Sequence, residues 1–336
     1  MTSSTVPFVT ILTPVYNGEK YLAECIESVL AQTFQHWEYT IVNNCSTDRS
    51  LAIAEHYARK DPRIRVLTNT SFVGVIENHN IAFGLVSPQS KYCKVVSADD
   101  WITRDCISKM VRLMETNPAI AIVGSYQRKC DEVQWKGLSP NKEIFSGREV
   151  CRMALVEELA IFGPPTSSLY RSELIRKSGQ FFPISQPHAD ICACYEYLQH
   201  YDFGFVHEVL SIERVHSGRV STKVDEFYMD AVASVEYILR YGQIYLDEVE
   251  LRTILKQAFV IYYRRLGGAV LKMKGKEFWR FHVTRMRELG NPISWRKVAY
   301  ATISEIIDEM RNPKVSYQKL VEVLKAKYSD SVKTHH

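Results

Sequence analysis

Apolar and polar positions alternate between two periods over the first 125 residues. Phe8 to Pro14 is a β-rich run closed by proline and followed by an Asn17-Gly18 turn. From Glu19 to Gln32 the apolar residues Leu22, Ile26, Val29 and Leu30 fall at helical spacing. Trp37 to Val42 reads as a second strand. Ser46-Thr47-Asp48 then opens a helix to about Lys60, with Ser46 as its N-cap and Leu51, Ile53, Ala54 and Tyr57 on its apolar face. The alternation continues with a strand over Ile64 to Thr68, a helix over Val73 to Val86 and a strand over Tyr92 to Val96. A helix from Asp105 to Asn117, stopped by Pro118, and a strand over Ala119 to Ser125 complete it. Such alternation predicts an α/β fold, a mostly parallel sheet with helices on both faces.

The pattern loosens after Tyr126. One shorter antiparallel strand and a helix around Arg148 to Glu158 are expected before the strong break at Gly163-Pro164-Pro165-Thr166. An apolar helix follows over Ile191 to Leu198, and from Phe227 the chain reads as helix after helix. A boundary near residue 224 divides it into a domain over 1–224 and a C-terminal helical region over 225–336, available for acceptor, membrane-surface or oligomer contacts. A length of 336 residues suits a main domain with an addition.

Charge sharpens that division. The formal net charge is +4, yet residues 256–297 carry eleven basic side chains against two acidic ones. That segment is laced with Tyr262, Tyr263, Phe278, Trp279, Phe281 and Trp295. It suits peripheral contact with anionic lipid headgroups, or a solvated helix face. Tyr237, Tyr241, Tyr245, Phe259, Tyr262 and Tyr263 recur near helical spacing and are expected in a core rather than as a sugar platform. The eight cysteines form no C-x-x-C pair, so isolated reduced thiols are expected, not a zinc site or disulfide framework. Met1-Thr2-Ser3-Ser4 does not read as a signal peptide and no apolar run approaches a membrane span. A cytoplasmic location is expected, at the inner membrane surface if the basic segment binds lipid. Nucleic acid is not expected as a partner, because the basic residues are confined to the tail without a recognisable motif. Self-association stays open.

The candidate chemistry lies where a strand runs out. Tyr92 to Val96 leads directly into Ser97-Ala98-Asp99-Asp100. Ligands bind beyond the carboxyl ends of strands in α/β sheets. Two adjacent acids there repel each other unless a divalent cation sits between them and an anionic ligand. A metal-held diphosphate, and so a nucleotide-dependent enzyme, is the reading these residues support. A dinucleotide enzyme is excluded, since no G-x-G-x-x-G follows the first strand.

Two more strand-end segments join this one, Thr13-Pro14-Val15-Tyr16-Asn17 and Asn43-Asn44-Cys45-Ser46-Thr47-Asp48. Further on come Gly163 to Arg171, Ser178-Gly179-Gln180-Phe181-Phe182, His188-Ala189-Asp190 and Arg214-Val215-His216-Ser217-Gly218. In this order, over residues 6 to 222, they resemble the inverting glycosyltransferases of family 2. That resemblance implies a GT-A-like nucleotide-binding sheet sandwiched by helices. It implies transfer of a single sugar from a nucleotide-sugar, UDP-linked by preference, to a hydroxyl of a glycan or glycolipid in surface polysaccharide synthesis. A GT-A-fold protein that binds nucleotide without turnover, or a nucleotidyltransferase, is the alternative.

The resemblance also implies roles. Asp99 and Asp100 would hold Mn²⁺ or Mg²⁺, Asp100 as the direct ligand, with Asp99 also on the nucleotide. Pro14, Tyr16, Asn17, Asn43 and Ser46 would line the nucleotide pocket. Asn43 stands where the family usually has Asp, so any bond its carbonyl accepts from the N3–H of uracil is uncharged. Asp190 would be the general base, at a helix N-terminus whose dipole opposes the raised pKa a base needs. Arg214, His216 and Arg219 would contact the diphosphate. Gly74 to Asn80 matches a family stretch at the start of the third helix only in part.

Overall fold

The computed structural model describes residues 6–157, 159–183, 188–216 and 224–311. Arg219, Ser217, Gly218 and Glu158 lie outside them. The first half runs β1 (Val9–Val15), α1 (Leu22–Leu30), β2 (Trp37–Asn43), α2 (Ser50–Lys60), β3 (Ile64–Thr68), α3 (Val75–Phe83), β4 (Tyr92–Val95), β5 (Trp101–Ile102), α4 (Cys106–Thr116) and β6 (Ile120–Lys129). Then come β7 (Glu132–Gln134), β8 (Ile144–Ser146), α5 (Gly147–Val156), a 3₁₀ turn over Pro165–Ser167, β9 (Ser168–Arg171), α6 (Ser172–Lys177), α7 (Ala189–Tyr197) and β10 (Asp202–Glu213).

The hydrophobic pattern explains the centre of the sheet. In β1 and β2 nearly every side chain is buried, as expected of strands covered on both faces. Leu22, Cys25, Ile26 and Val29 form one stripe of α1, and Cys106, Ile107, Met110, Val111, Leu113 and Met114 form one of α4. Both stripes belong to the same core as Ile11, Tyr39, Tyr92 and Val123. The strand order is β3-β2-β1-β4-β9-β6-β10-β5. The chain winds outward from β1 to β3, all parallel, then crosses back to pair β4 with the other edge of β1. The winding therefore reverses between β1 and β4, which opens a crevice beyond their carboxyl ends.

Three expectations need correction. The sheet is mixed rather than mostly parallel, because β9 runs antiparallel to both β4 and β6, and β5, β7 and β8 also pair antiparallel. The second helix starts at Ser50, not at Ser46. Asp48 Oδ1 accepts the Ser50 amide at 2.9 Å, and residues 44–48 instead form a loop with Cys45 in the left-handed region (φ 55°). Strand β10, twelve residues long, was not visible in the hydrophobic pattern. Its register shifts between Val206 and Val209 and between Val209 and Ser211, which scrambles the period-2 alternation.

Contacts divide the chain into two compact units, Met1–Arg219 with Tyr241–Asp247, and Val220–Arg240 with Glu248–His336. In the first, Tyr241 and Tyr245 pack on Tyr195 with ring centroids 5.2 and 6.1 Å apart. In the second, helices Glu248–Leu271 and Trp295–Arg311 pack so closely at Gly267 that a Cβ there would lie 2.8 Å from the Ala301 backbone. Tyr262 and Tyr263 are buried there, as expected of core residues. Arg285, on helix Lys276–Glu288, makes a bidentate buried pair with Glu236 at 2.7 and 2.8 Å.

Candidate active site

The acid pair occupies the crevice between β1 and β4. The Val96 amide bonds to Leu12 O at 2.9 Å, extending the β4 register, and the Asp100 amide bonds back to Ser97 O at 3.0 Å, which turns both carboxylates beyond the strand end. Asp100 is 6% exposed. Its Oδ2 accepts from Thr166 Oγ1 at 2.8 Å and its Oδ1 from the Arg214 amide at 3.4 Å. Asp99 Oδ2 lies 3.0 Å from His216 Nε2. Burial, and then the neighbouring charge of Asp99, push the Asp100 carboxyl up to about 7.

A buried carboxylate held up in this way calls for positive charge, and among the described residues no lysine or arginine forms an ion pair with Asp99 or Asp100. The oxygens of Asp99 and Asp100, with the His216 imidazole beside them, fit a hard divalent cation. Among the described residues no three His, Cys, Asp or Glu side chains converge as a ready cage. One or two carboxylates suffice for a cation that takes its other oxygens from a diphosphate.

Thr166 was missed at the sequence level. The 3₁₀ turn over Pro165–Ser167 aims its hydroxyl at Asp100, while Oγ1 accepts the Ser97 amide at 3.0 Å. Beneath it, Lys94 of β4 is fully buried and donates from Nζ to the Thr166 carbonyl and, at 3.0 Å, to that of Ser168. Burial lowers its pKa. Thr166 sits in the Gly-Pro-Pro-Thr break that marked the site's second half. Lys94, a charge inside an apolar strand run, was the overlooked signal.

The Arg214 guanidinium is held by two rings and a carboxylate. It lies 4.6 Å from the ring centroids of both Tyr21 and Trp101 and pairs with Glu24, so only its backbone amide reaches Asp100. His216 stacks 4.9 Å from Tyr21 and places its Nε2 on Asp99.

The loops after β1 and β2 form a second cluster. Asn17, in the left-handed region (φ 48°), accepts the Thr47 amide on Oδ1 at 2.8 Å, and its own amide bonds to Ser46 Oγ at 3.0 Å. Ser46 thus ties two loops together and caps no helix. Asn43 is 1% exposed; its Oδ1 accepts the Ser46 amide and its Nδ2 donates to Thr68 Oγ1, each at 3.2 Å. Its polar atoms first serve the turn, leaving one carbonyl lone pair for a ligand. Pro14 sits in β1 opposite Val42, and Tyr16, 49% exposed, packs on Phe72 at 4.7 Å.

Asp190 belongs to a third group. It stands in the first turn of α7, where Oδ1 accepts the Ile191 amide at 3.0 Å. Burial raises its pKa against the opposing pull of His188, the helix amides and His79. No described hydrogen bond joins it to the Asp99–Asp100 cluster.

Comparison with known proteins agrees with this arrangement. Residues 10–179, more than half of the chain, match Glycosyl transferase family 2, and the chain belongs to that family. It is 34% identical over 119 residues to the putative teichuronic acid biosynthesis glycosyltransferase TuaG of Bacillus subtilis, covering 35% of this chain and 46% of that one. The chain spans about half the length of the curated relatives it matches. Among solved structures, residues 1-349 of S. aureus TarS in complex with UDP-GlcNAc superpose with a TM-score of 0.63 at 17% identity, covering 94% of this chain and 92% of that one. The mannosyltransferase PcManGT from Pyrobaculum calidifontis, in complex with GDP-Man and Mn²⁺, gives 0.55 at 15%, covering 91% and 89%. These likenesses establish the GT-A-type fold.

Proposed function

We propose that this chain is an inverting glycosyltransferase that moves one sugar from a UDP-sugar to a hydroxyl of a glycan or glycolipid, in surface polysaccharide synthesis. The observation that carries the reading is the buried Asp100 beside Asp99 at the β1–β4 switch point, a carboxylate pair with no arginine or lysine ion pair among the described residues. The UDP-GlcNAc of TarS supports a uridine nucleotide, and the name of TuaG supports a polysaccharide product.

Bound Mn²⁺ or Mg²⁺ would supply Lewis-acid neutralisation of charge on the departing diphosphate. The protein's own part is positional. Thr166 and the Arg214 amide fix the Asp100 oxygens, and His216 fixes Asp99. Tyr16 offers an exposed ring to the base, over the loops stitched by Asn17 and Ser46. Asp190 takes the proton of the attacking hydroxyl. Its burial lifts the carboxyl above the usual carboxylate range, the direction a base needs, against the pull of His188 and the helix amides.

The test separates binding from chemistry. Asp190→Asn should bind UDP-sugar with unchanged affinity in calorimetry and lose about a thousandfold in turnover. Sugar transfer by that variant at the parent rate would remove Asp190 from the mechanism.

A further inference from the structure

The second unit carries a cluster that nucleotide-sugar chemistry does not use. Helix Glu248–Leu271 ends in a Schellman turn: the Met273 amide bonds to Val270 O at 3.0 Å and the Lys274 amide to Ala269 O at 3.1 Å. Met273 therefore occupies the left-handed position (φ 51°) that such turns usually give to glycine. Its side chain is 88% exposed, and Val270 and Leu271 beside it are 40% and 37% exposed. Among the described residues the apolar side chain kept there stays almost wholly uncovered.

Three cations surround the half-buried Tyr228 next to this tip. Arg265, Lys272 and Lys274 lie 5.9, 5.7 and 5.0 Å from its ring centroid. Lys272 Nζ reaches the Tyr228 hydroxyl at 3.2 Å, and Lys274 Nζ donates to Glu226 O at 2.8 Å. Among the described residues one carboxylate, Asp230, pairs with the group, at 3.3 Å from Arg265. Lys276 follows, exposed, on the next turn. Converging like charges beside an apolar wedge match a surface of opposite charge with an apolar interior.

We infer that the Val270–Lys276 turn docks on an anionic lipid bilayer, with Met273 entering the acyl boundary and Lys272 and Lys274 taking phosphate headgroups. This goes beyond donor chemistry and stands or falls apart from it. The test is co-sedimentation of the full chain with vesicles of phosphatidylcholine, with and without phosphatidylglycerol. The protein should pellet with the anionic vesicles alone and be released by salt. Lys272→Gln with Lys274→Gln should weaken partitioning about 30-fold, at roughly one factor of five per lysine. Met273→Gln should weaken it about tenfold. Both variants are surface changes, and their melting temperatures should equal the parent's. The inference is overturned if the parent stays in the supernatant, if it binds both vesicles equally, or if the double variant pellets like the parent. Capture by soluble polyphosphate without vesicle binding would assign the cations to a polymer and overturn it too.

Discussion

Thr166 shows how much of the site rests on a residue that is neither acidic nor basic. Its hydroxyl bonds to Asp100 Oδ2 and to Ser97 Oγ, and its oxygen also receives the Ser97 amide. Thr166→Val keeps the volume and strips all three bonds. Leaving a buried carboxylate oxygen unpaired costs about 1–3 kcal/mol. UDP affinity measured by calorimetry with Mn²⁺ should drop about tenfold or more, and Thr166→Ser should restore it. An unchanged affinity in Thr166→Val would show that Asp100 needs no such support. Asp99, Asp100 and the strand before them were legible because adjacent carboxylates after an apolar run are unusual. Thr166 was not legible as a partner, because 66 residues separate it from Asp100 and only the antiparallel seating of β9 on β4 brings them together. The setting of Arg214 was not legible either, because the rings of Tyr21 and Trp101 that flank its guanidinium come from two other segments of the sequence.

At the scale of elements, the parallel half of the sheet could be read directly from the sequence. Strands β1 to β4 are short, apolar and separated by amphipathic helices, so local period and tertiary burial agree. The antiparallel half could not. β9 has four residues and β5 two, too few for a period to emerge, and the bulges of β10 break its alternation. The helices of the second unit were legible from composition, though what lies between them was not. His282, on helix Lys276–Glu288, is fully buried, with Nε2 facing the Phe227 carbonyl at 2.9 Å and Nδ1 facing the Tyr262 hydroxyl at 3.0 Å. Nε2 must therefore carry a proton, and Nδ1 can accept one from the hydroxyl, which is the neutral imidazole that burial favours. Burial pulls its pKa down to about 4 from 6.5. Between those values the unfolded chain binds a proton that the folded chain refuses. His282's own contribution to stability is full above about 6.5 and declines as pH falls toward 4, by about 3 kcal/mol in all. Urea unfolding followed by tryptophan fluorescence should show this contribution as a pH-dependent difference between the parent and His282→Gln from pH 7 to 5. A slope unaltered in His282→Gln would place the proton uptake elsewhere.

Taken as a whole molecule, the chain combines a family-2 glycosyltransferase sheet with a helical unit of different character. The first brings the acid pair after β4 and the tied loops after β1 and β2 to the carboxyl ends of neighbouring parallel strands. The second concentrates basic charge and exposed apolar side chains. Part of the basic charge that the sequence concentrates in residues 256–297 gathers around Tyr228, beside the exposed Met273. In the proposed reading, transfer requires the first unit to grip a diphosphate, and that grip depends on the acids at the end of β4. Calorimetric titration of UDP into the full chain, with and without Mn²⁺, tests this most directly. The account predicts that Mn²⁺ tightens UDP by at least about tenfold and that Asp100→Asn abolishes the gain. Equal UDP affinity with and without the cation, or a gain that survives Asp100→Asn, would contradict it.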